Sequence, residues 1–319
     1  MRKLILAALA IVSTACGVAH AAFPERPITI VVPFGAGSGT DVLARNLGKA
    51  ISDATHQPVV VDNKPGAGGI IGVSSVTRSA PDGYTVLLAT SGPMAANTSL
   101  YAKLPYDPEK DFEPIALVGR RPLLLIGSKA AKARTFDEVV AEAKAHPGTV
   151  NFGASNTTAR VFVELLKQQR SVQVETVLYK DTGSMMTDLI SGRVSYSFED
   201  AGPSMPLVDS GKINLLSVAA AKRVAFAPNT PALGELGFKE YGLSTWYGVF
   251  VARGTPPDVV ARLTAIFDAA GRSPEVQSFA KQVGIQLLEP TSTTAMKSFI
   301  RAEQKKWQEI VRVTGVKID

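Results

Sequence analysis

The chain has 319 residues, of which 45% are hydrophobic and 7% aromatic. This composition is typical of a globular protein with a substantial core, and it excludes a largely disordered chain. The formal net charge is +6, and two of the positive charges are Arg2 and Lys3. Because the remaining excess is spread along the chain without a run of like charges, we expect no nucleic-acid partner. The length predicts about two domains.

The first 21 residues have the features of a secretory signal peptide. A cationic start precedes an apolar stretch at 4–12, and an Ala-x-Ala cleavage pattern follows at 19–21. The apolar stretch is shorter than the roughly 20 residues that a transmembrane helix needs. We therefore expect residues 1–21 to be a signal peptide and the mature protein to be exported.

The single cysteine of the chain, Cys16, lies in this leader. The sequence STAC at 13–16 leaves a lipoprotein alternative, in which Cys16 carries a lipid anchor, although Ser13 stands where a branched apolar residue is expected. Cleavage after Ala21 would leave no cysteine in the mature chain. We then expect no disulfide, no thiolate catalysis and no cysteine metal site.

Strands and helices alternate along the rest of the chain. Nine short apolar runs bounded by turn residues predict buried strands: ITIVVPF, QPVVVDN, YTVLLATS, PLLLIGS, TVNFGAS, VETVLYK, RVSYSFED, INLLSVAA and YGVFVARG. Amphipathic patterns predict helices at 41–52, 136–145, 160–169, 258–270 and 296–313. This alternation predicts an α/β protein with mostly parallel sheets.

Two segments share one plan of strand, small-residue loop and amphipathic helix. They are TIVVPFGAGSGTDVLARNL, which begins at Thr29, and TVNFGASNTTARVFVELL, which begins at Thr149. In open α/β sheets, ligands lie beyond the carboxyl ends of strands, where helix N-termini attract anions. Each loop is therefore a candidate anion cradle. The alternative is purely structural, since glycine serves tight turns and Thr40 or Asp41 can cap the helix.

The absence of several motifs limits the ligands and reactions that we expect of the chain. The phosphate-binding pattern GxxxxGK[ST] does not occur, and GxGxxG fails because Thr40 and Val42 stand where the last glycine should be. The first loop has no lysine or arginine, so a carboxylate suits it better than a phosphate. His56 and His146 lie in turn contexts, and neither HExxH nor CxxC occurs. We therefore expect neither an enzyme nor a cofactor nor a metal site.

Seven motifs in a common order resemble the tripartite tricarboxylate transporter receptors, the Bug-type periplasmic solute-binding proteins. The motifs are PFGAGSGTD at 33–41, NKPGAGG at 63–69, PDGYT at 81–85, LPYDPEKDF at 104–112, YK at 179–180, SGRV at 191–194 and WYG at 246–248. Each motif alone is weak. Their shared order and spacing cover nearly all of the chain after the leader.

The resemblance implies a two-lobed, type II-like periplasmic-binding-protein fold, the Venus flytrap, with two crossovers. Residues 23–121 and 227–319 would form the first lobe, and residues 122–226 the second. A small carboxylated solute would lie in the cleft between the lobes.

The resemblance also implies site residues by position. The first lobe would supply Phe34, Gly37, Ser38, Gly39, Thr40 and Asp41, together with the hydroxyls of Thr90 and Ser91. Across the cleft would lie Ser155, Asn156, Thr157, Thr158 and Arg160, with Tyr179, Asp181 and Glu199 nearby.

Several of these positions depart from the family's usual residues. Ser38 replaces a glycine, Met94 and Arg160 replace histidines, Asp181 replaces a glycine, and Glu199-Asp200 replaces Asp-Asn. A guanidinium suits a carboxylate bidentately, so one hypothesis is that Arg160 recognises a second anionic group of the ligand. The alternative is an ion pair of Arg160 with Asp181 or Glu199 inside the protein.

We therefore predict a periplasmic receptor that captures a small carboxylate and delivers it to membrane transporter subunits. A dicarboxylate and an aromatic acid are both candidate ligands. The alternative function is a periplasmic ligand sensor that partners a signalling protein without transport. Closure of the lobes around the ligand would shift the population towards the closed form.

Overall fold

The computed structural model describes residues 23–239 and 242–316, so the predicted leader lies outside the described residues. In chain order the strands are β1 Ile28–Val32, β2 Val59–Asn63, β3 Thr85–Thr90, β4 Phe112–Arg121, β5 Leu124–Ser128, β6 Asn151–Ala154, β7 Glu175–Leu178, β8 Tyr196–Glu199, β9 Ile213–Val218, β10 Thr245–Ala252 and β11 Gln286–Leu287. The helices are α1 Gly39–Thr55, α2 Ile70–Thr77, α3 Asn97–Leu100, α4 Phe136–Ala145, α5 Thr157–Arg170, α6 Thr182–Ser191, α7 Ala201–Asp209, α8 Pro257–Gly271, α9 Pro274–Gln282 and α10 Thr293–Thr314.

The strands form two sheets of the same design. The first has the order β11-β4-β10-β3-β1-β2 and the second the order β7-β6-β8-β5-β9. In the first sheet β1 is parallel to β2 and β3, and β10 runs antiparallel between β3 and β4. In the second sheet β6 is parallel to β7 and β8, and β5 runs antiparallel between β8 and β9. Each sheet therefore has one antiparallel strand in its interior, and the first sheet also has β11, which runs antiparallel to β4 at the sheet edge.

The chain crosses between the sheets twice. It leaves the first sheet at the end of β4 and enters β5 three residues later, and it returns between β9 and β10. An apolar core continues from one sheet to the other, from Leu87 of β3 to Phe152 of β6. The two lobes are therefore packed together around their crossing strands.

Residues that follow the predicted lobe boundary at 227 contact elements of the second sheet. Phe238 packs edge-on against Phe136 of α4 and stacks on Phe162 of α5. Val218 of β9 also donates a backbone hydrogen bond to the carbonyl of Pro231. Residues 227–238 therefore pack on the second sheet, and we propose that the first lobe resumes after Phe238.

The five predicted helices are confirmed as α1, α4, α5, α8 and α10, and α4 has the predicted bounds. All nine predicted strands are present, but three of them lie at sheet edges: β2, β7 and β9. Two of these, β2 and β7, are not buried as predicted, and Leu178 of β7 is 60% exposed. Within residues 23–239 and 242–316, no helix is long and apolar enough to cross a bilayer.

Candidate functional site

Four helices begin at the same cleft between the lobes. α1 follows β1, α5 follows β6, α6 follows β7 and α7 follows β8, so these helices start beyond the carboxyl ends of parallel strands. A helix N-terminus carries unpaired N–H groups and a positive dipole end. The convergence of four such ends makes the cleft favourable for an anion.

Three of these helices are capped by their own side chains. Ser38 Oγ accepts from the Asp41 N–H at 3.2 Å, Asn156 Oδ1 from the Ala159 N–H at 2.9 Å, and Asp181 Oδ1 from the Ser184 N–H at 2.8 Å. Each cap satisfies one donor of the first turn. The caps therefore fix where each helix begins and leave other first-turn donors towards the cleft.

The first cavity in the cleft is small and rich in hydroxyl groups. It has a volume of about 20 Å³ and is lined by Phe34, Ser38, Thr40, Thr90, Gly92, Pro93, Asn156, Thr157, Thr158, Thr182, Asp200 and Thr245. A space of this size holds about one water molecule. In this structure the first cavity is therefore too small to hold a solute molecule.

The second cavity adjoins the first and is larger. Its volume is about 280 Å³, and its lining is Pro33, Phe34, Gly66, Ala67, Gly68, Gly69, Tyr101, Ala154, Ser155, Asn156, Thr157, Arg160, Leu178, Tyr179 and Lys180. Phe34, Asn156 and Thr157 line both cavities. Two cationic side chains, Arg160 and Lys180, lie in the second cavity, whereas the first is uncharged except for Asp200.

A hydrogen-bond relay joins the lobes beside these cavities. Thr157 Oγ1, at the start of α5, donates to Asn97 Oδ1 at 3.2 Å, and Asn97 Nδ2 donates to the carbonyl of Gly68 at 3.1 Å. Thr157 belongs to the second lobe, while Asn97 and Gly68 belong to the first. The relay therefore links the two lobes in this structure.

The structure brings most of the predicted site residues together at these two cavities. The first is lined by Phe34, Ser38, Thr40, Thr90, Asn156, Thr157 and Thr158. The second adds Ser155, Arg160 and Tyr179. The ring of Tyr179 lines the cavity while its hydroxyl donates to Asp188 at 2.8 Å.

Six predicted residues line neither cavity: Gly37, Gly39, Asp41, Ser91, Asp181 and Glu199. Asp41 braces its own loop, since its carboxylate accepts from the Gly37 N–H at 2.9 Å and pairs with Arg45 at 2.9 Å. Asp181 caps α6 as described above, and Ser91 is fully buried.

Gly39, which was predicted to belong to the ligand cradle, lies against the buried side chain of Arg121. A Cβ atom at this position would overlap Nη2 of Arg121 and lie 3.1 Å from Oδ2 of Asp200. The first turn of α1 can therefore approach the guanidinium only because residue 39 is glycine. Met94, at a predicted cleft position, is also fully buried and lines neither cavity.

The prediction missed a buried ion pair at the crossing between the lobes. Arg121 Nη2 lies 2.8 Å from Asp200 Oδ2, with the two side chains 0% and 9% exposed. The guanidinium also lies over the Tyr247 ring, 5.4 Å from its centroid. Arg121 ends β4, and Asp200 precedes α7, so the pair joins the two lobes.

Glu199 completes this buried cluster. Its Oε2 accepts from the Ser155 hydroxyl at 2.5 Å, and its Oε1 accepts from the Asp200 N–H at 2.8 Å. Burial, together with the neighbouring charge of Asp200, raises the pKa of Glu199 to about 7. Asp181, the other predicted partner of Arg160, accepts from the Ser184 N–H at 2.8 Å.

Comparison with known proteins agrees with this geometry. Residues 43–316 match the family described as tripartite tricarboxylate transporter family receptor. The chain is 34% identical over 300 residues to the protein BugT of Bordetella pertussis (strain Tohama I / ATCC BAA-589 / NCTC 13251), covering 93% of this chain and 91% of BugT.

Solved structures agree with the fold as well. The periplasmic binding protein BugD superposes with a TM-score of 0.88 at 31% identity, over 92% of this chain and 99% of BugD. Rpa4515 of R. palustris with adipate superposes with a TM-score of 0.86 at 32% identity, over 92% of this chain and 99% of Rpa4515. MatC of Rhodopseudomonas palustris with bound malate superposes with a TM-score of 0.85 at 29% identity, over 91% of this chain and 100% of MatC. The predicted two-lobed α/β fold is confirmed.

The family model covers most of the chain, and the relatives match it along nearly their whole lengths. This confirms the family predicted from the sequence motifs. The chain belongs to the tripartite tricarboxylate transporter receptors and is a periplasmic solute-binding receptor of the Bug type.

Proposed function

We propose that this receptor captures a small dicarboxylate and delivers it to a tripartite membrane transporter. The observation that carries the proposal is the division of the cleft into two unlike halves. Four helix N-termini and several threonine hydroxyls surround the first cavity, while Arg160 and Lys180 lie in the second. One carboxylate would bind at the helix N-termini and the other at the cations.

The solved relatives support a ligand of this class. Rpa4515 was solved with adipate and MatC with malate, and both are dicarboxylates. Delivery to membrane subunits follows from the family to which the chain belongs. Closure would remove water from the cleft and strengthen the charge-assisted hydrogen bonds to the solute.

Isothermal titration calorimetry with Arg160→Ala tests the proposal. Loss of a charge-assisted contact predicts that dicarboxylates bind about tenfold or more weakly, while monocarboxylates of equal length are little affected. Lys144→Ala is the matched control, since this exposed lysine in α4 carries the same charge away from the cleft. Unchanged affinity of Arg160→Ala for every dicarboxylate that the wild type binds would exclude this role of Arg160.

Delivery needs a separate experiment. Uptake of the bound dicarboxylate should be lost in cells without the receptor and restored by the wild-type chain. Arg160→Ala should restore uptake only at higher solute concentrations. Uptake that continues at the wild-type rate without the receptor would contradict the transport role.

A further inference from the structure

A groove at the crossing between the lobes lies apart from the two cavities of the cleft. Its volume is about 730 Å³, and none of its lining residues lines either cleft cavity. Residues from 219–226, after β9, line it from the second lobe, and residues from 280–286, at the end of α9 and the start of β11, line it from the first. We call it the crossing groove. Its volume lies within the range of about 300–1,000 Å³ that is usual for small-molecule sites.

Most of the side chains that line the crossing groove are apolar. The alanines at 219–221 and Phe226 belong to the second lobe, while Leu243 and Ile285 belong to the first. The Phe226 ring lies close against Gly284, since a Cβ atom on that glycine would be 2.2 Å from the ring. Apolar walls with a few polar groups are typical of a site for a small organic molecule.

The charged part of the lining is cationic. Arg120 and Lys281 are exposed, and neither forms an ion pair with a carboxylate in the part of the chain that the structure describes. Arg120 Nε donates to the neutral Oε1 of Gln286 at 3.2 Å, and a guanidinium has further N–H donors. Arg121 also lines the groove, but its guanidinium is paired with Asp200. Arg120 and Lys281 therefore remain to attract an anion.

These two features together define the occupant. A small inorganic anion would bring no apolar surface against the walls of the groove, and burial of apolar surface is the main source of affinity there. A neutral apolar molecule would gain nothing from the two cations. A molecule with an apolar body and a single anionic group uses both features.

We propose that the crossing groove is a second ligand site, which binds an apolar monocarboxylate of the medium-chain fatty acid type. Its chain would pack against Phe226, Leu243 and Ile285, and its carboxylate would lie between Arg120 and Lys281. The proposal does not rest on the dicarboxylate function, because the groove and the cleft cavities have no lining residue in common.

Titration calorimetry of the mature chain with hexanoate, octanoate and decanoate tests the apolar walls. The affinity should rise about fourfold for each CH₂ group that becomes buried. Octan-1-ol and octylammonium keep the chain of octanoate and change its head group. Octanoate should bind more tightly than the alcohol, and octylammonium should bind most weakly. Absence of binding by all three acids, equal affinities along the acid series, or octylammonium that binds as tightly as octanoate would each overturn the proposal.

The double variant Arg120→Gln with Lys281→Gln tests the two cations. Contacts with exposed cations are weak, so the affinity for octanoate should fall only about threefold to tenfold, while octan-1-ol should bind as it does to the wild type. Lys132→Gln with Lys144→Gln is the matched control, since it removes the same charge at exposed positions outside the groove. An equal loss of octanoate affinity in the control would show a general effect of net charge and would contradict the site.

Two single variants distinguish this site from the cleft. Ala225→Trp adds a large side chain at an exposed position in the wall of the groove, so it should weaken octanoate tenfold or more and leave dicarboxylate binding unchanged. Octanoate affinity that survives both Ala225→Trp and the double variant would overturn the proposal. A loss of octanoate affinity in Arg160→Ala instead would place the acid in the cleft and would also overturn it. Octanoate binding without any dicarboxylate binding would contradict only the proposed function.

Discussion

The buried cluster of Glu199, Asp200 and Arg121 sets the charge at the crossing between the lobes. Arg121 neutralises Asp200 at 2.8 Å, and Glu199 lies next to Asp200 with a fully buried side chain. Two adjacent carboxylates and one guanidinium carry a net negative charge when both acids are ionised. Since burial and Asp200 raise the pKa of Glu199 to about 7, its proton relieves that charge in the folded protein.

Glu199→Gln should therefore change how stability depends on pH. The folded pKa of Glu199, about 7, lies above its ordinary value of 4.5. Its stabilising contribution is complete below about pH 4.5 and is lost as the pH rises through about 7. The variant should gain free energy of unfolding relative to the wild type across this range, on the order of 3 kcal/mol. Urea denaturation at several pH values measures the difference.

Asp209→Asn is the control for this measurement, because Asp209 is an exposed carboxylate at the end of α7. Its difference from the wild type should stay nearly constant with pH. A constant difference for Glu199→Gln as well would contradict the proposed titration of Glu199.

At the scale of elements, the contact between the first turn of α1 and the end of β4 positions the lobes. Gly39 lies against the guanidinium of Arg121, and Gly202 of α7 approaches Gly39 from the other lobe. α1 and α7 therefore meet through glycines, with Arg121 held between their N-termini. This close approach requires glycine at position 39, which the sequence motif placed in a ligand-binding loop.

Gly39→Ala should destabilise the protein through overpacking against Arg121. The added methyl group has backbone on one side and a buried ion pair on the other, so we expect a loss of about 1–3 kcal/mol of unfolding free energy. Gly271→Ala is the matched control, since a Cβ there meets no atom within 4 Å. Thermal and urea denaturation compare the two variants. Equal stability of both would show that the helix can move away from Arg121 without cost.

At the scale of the whole molecule, closure of the lobes depends on contacts between segments that are distant in sequence. Thr157 and Asn97 form the hydrogen bond between the lobes, and the apolar core is continuous from one sheet to the other. The polar cavities lie inside this closed arrangement. If a solute favours one relative position of the lobes, these contacts will influence its affinity.

Thr157→Val should shift the ligand-free receptor towards the open form. The substitution keeps the shape of the side chain but removes the donor to Asn97, which is worth about 1 kcal/mol. Small-angle X-ray scattering without ligand should then give a larger radius of gyration than the wild type. Thr187→Val, at an exposed position on α6, is the control and should leave it unchanged. An unchanged radius for Thr157→Val would show that this bond does not hold the lobes.

Local sequence patterns were sufficient to predict the strands and helices whose ends form the site. β1 with α1 and β6 with α5 were recognised as matched units, because apolar periodicity and N-cap residues act within a few neighbouring residues. β4 was missed since Pro114 and Glu113 interrupt an apolar run, and this strand carries Arg121. Because β4 was not predicted, the position of Arg121, one partner of the ion pair with Asp200, was not predicted either.

The sequence by itself determined the α/β class, the family and the two small-residue loops at the cleft, since these depend on short-range patterns and motif order. Only the tertiary structure decided which of the loop residues line the cavities, because the Asp41 carboxylate accepts from the Gly37 N–H and Gly39 lies against Arg121. It also decided the pairing of Arg121 with Asp200, which lie on different lobes and carry no local signal of each other. Long-range pairing depends on the crossing of the chain between two sheets, and that crossing places Asp200 in the lining of the first cavity with Arg121 buried against it.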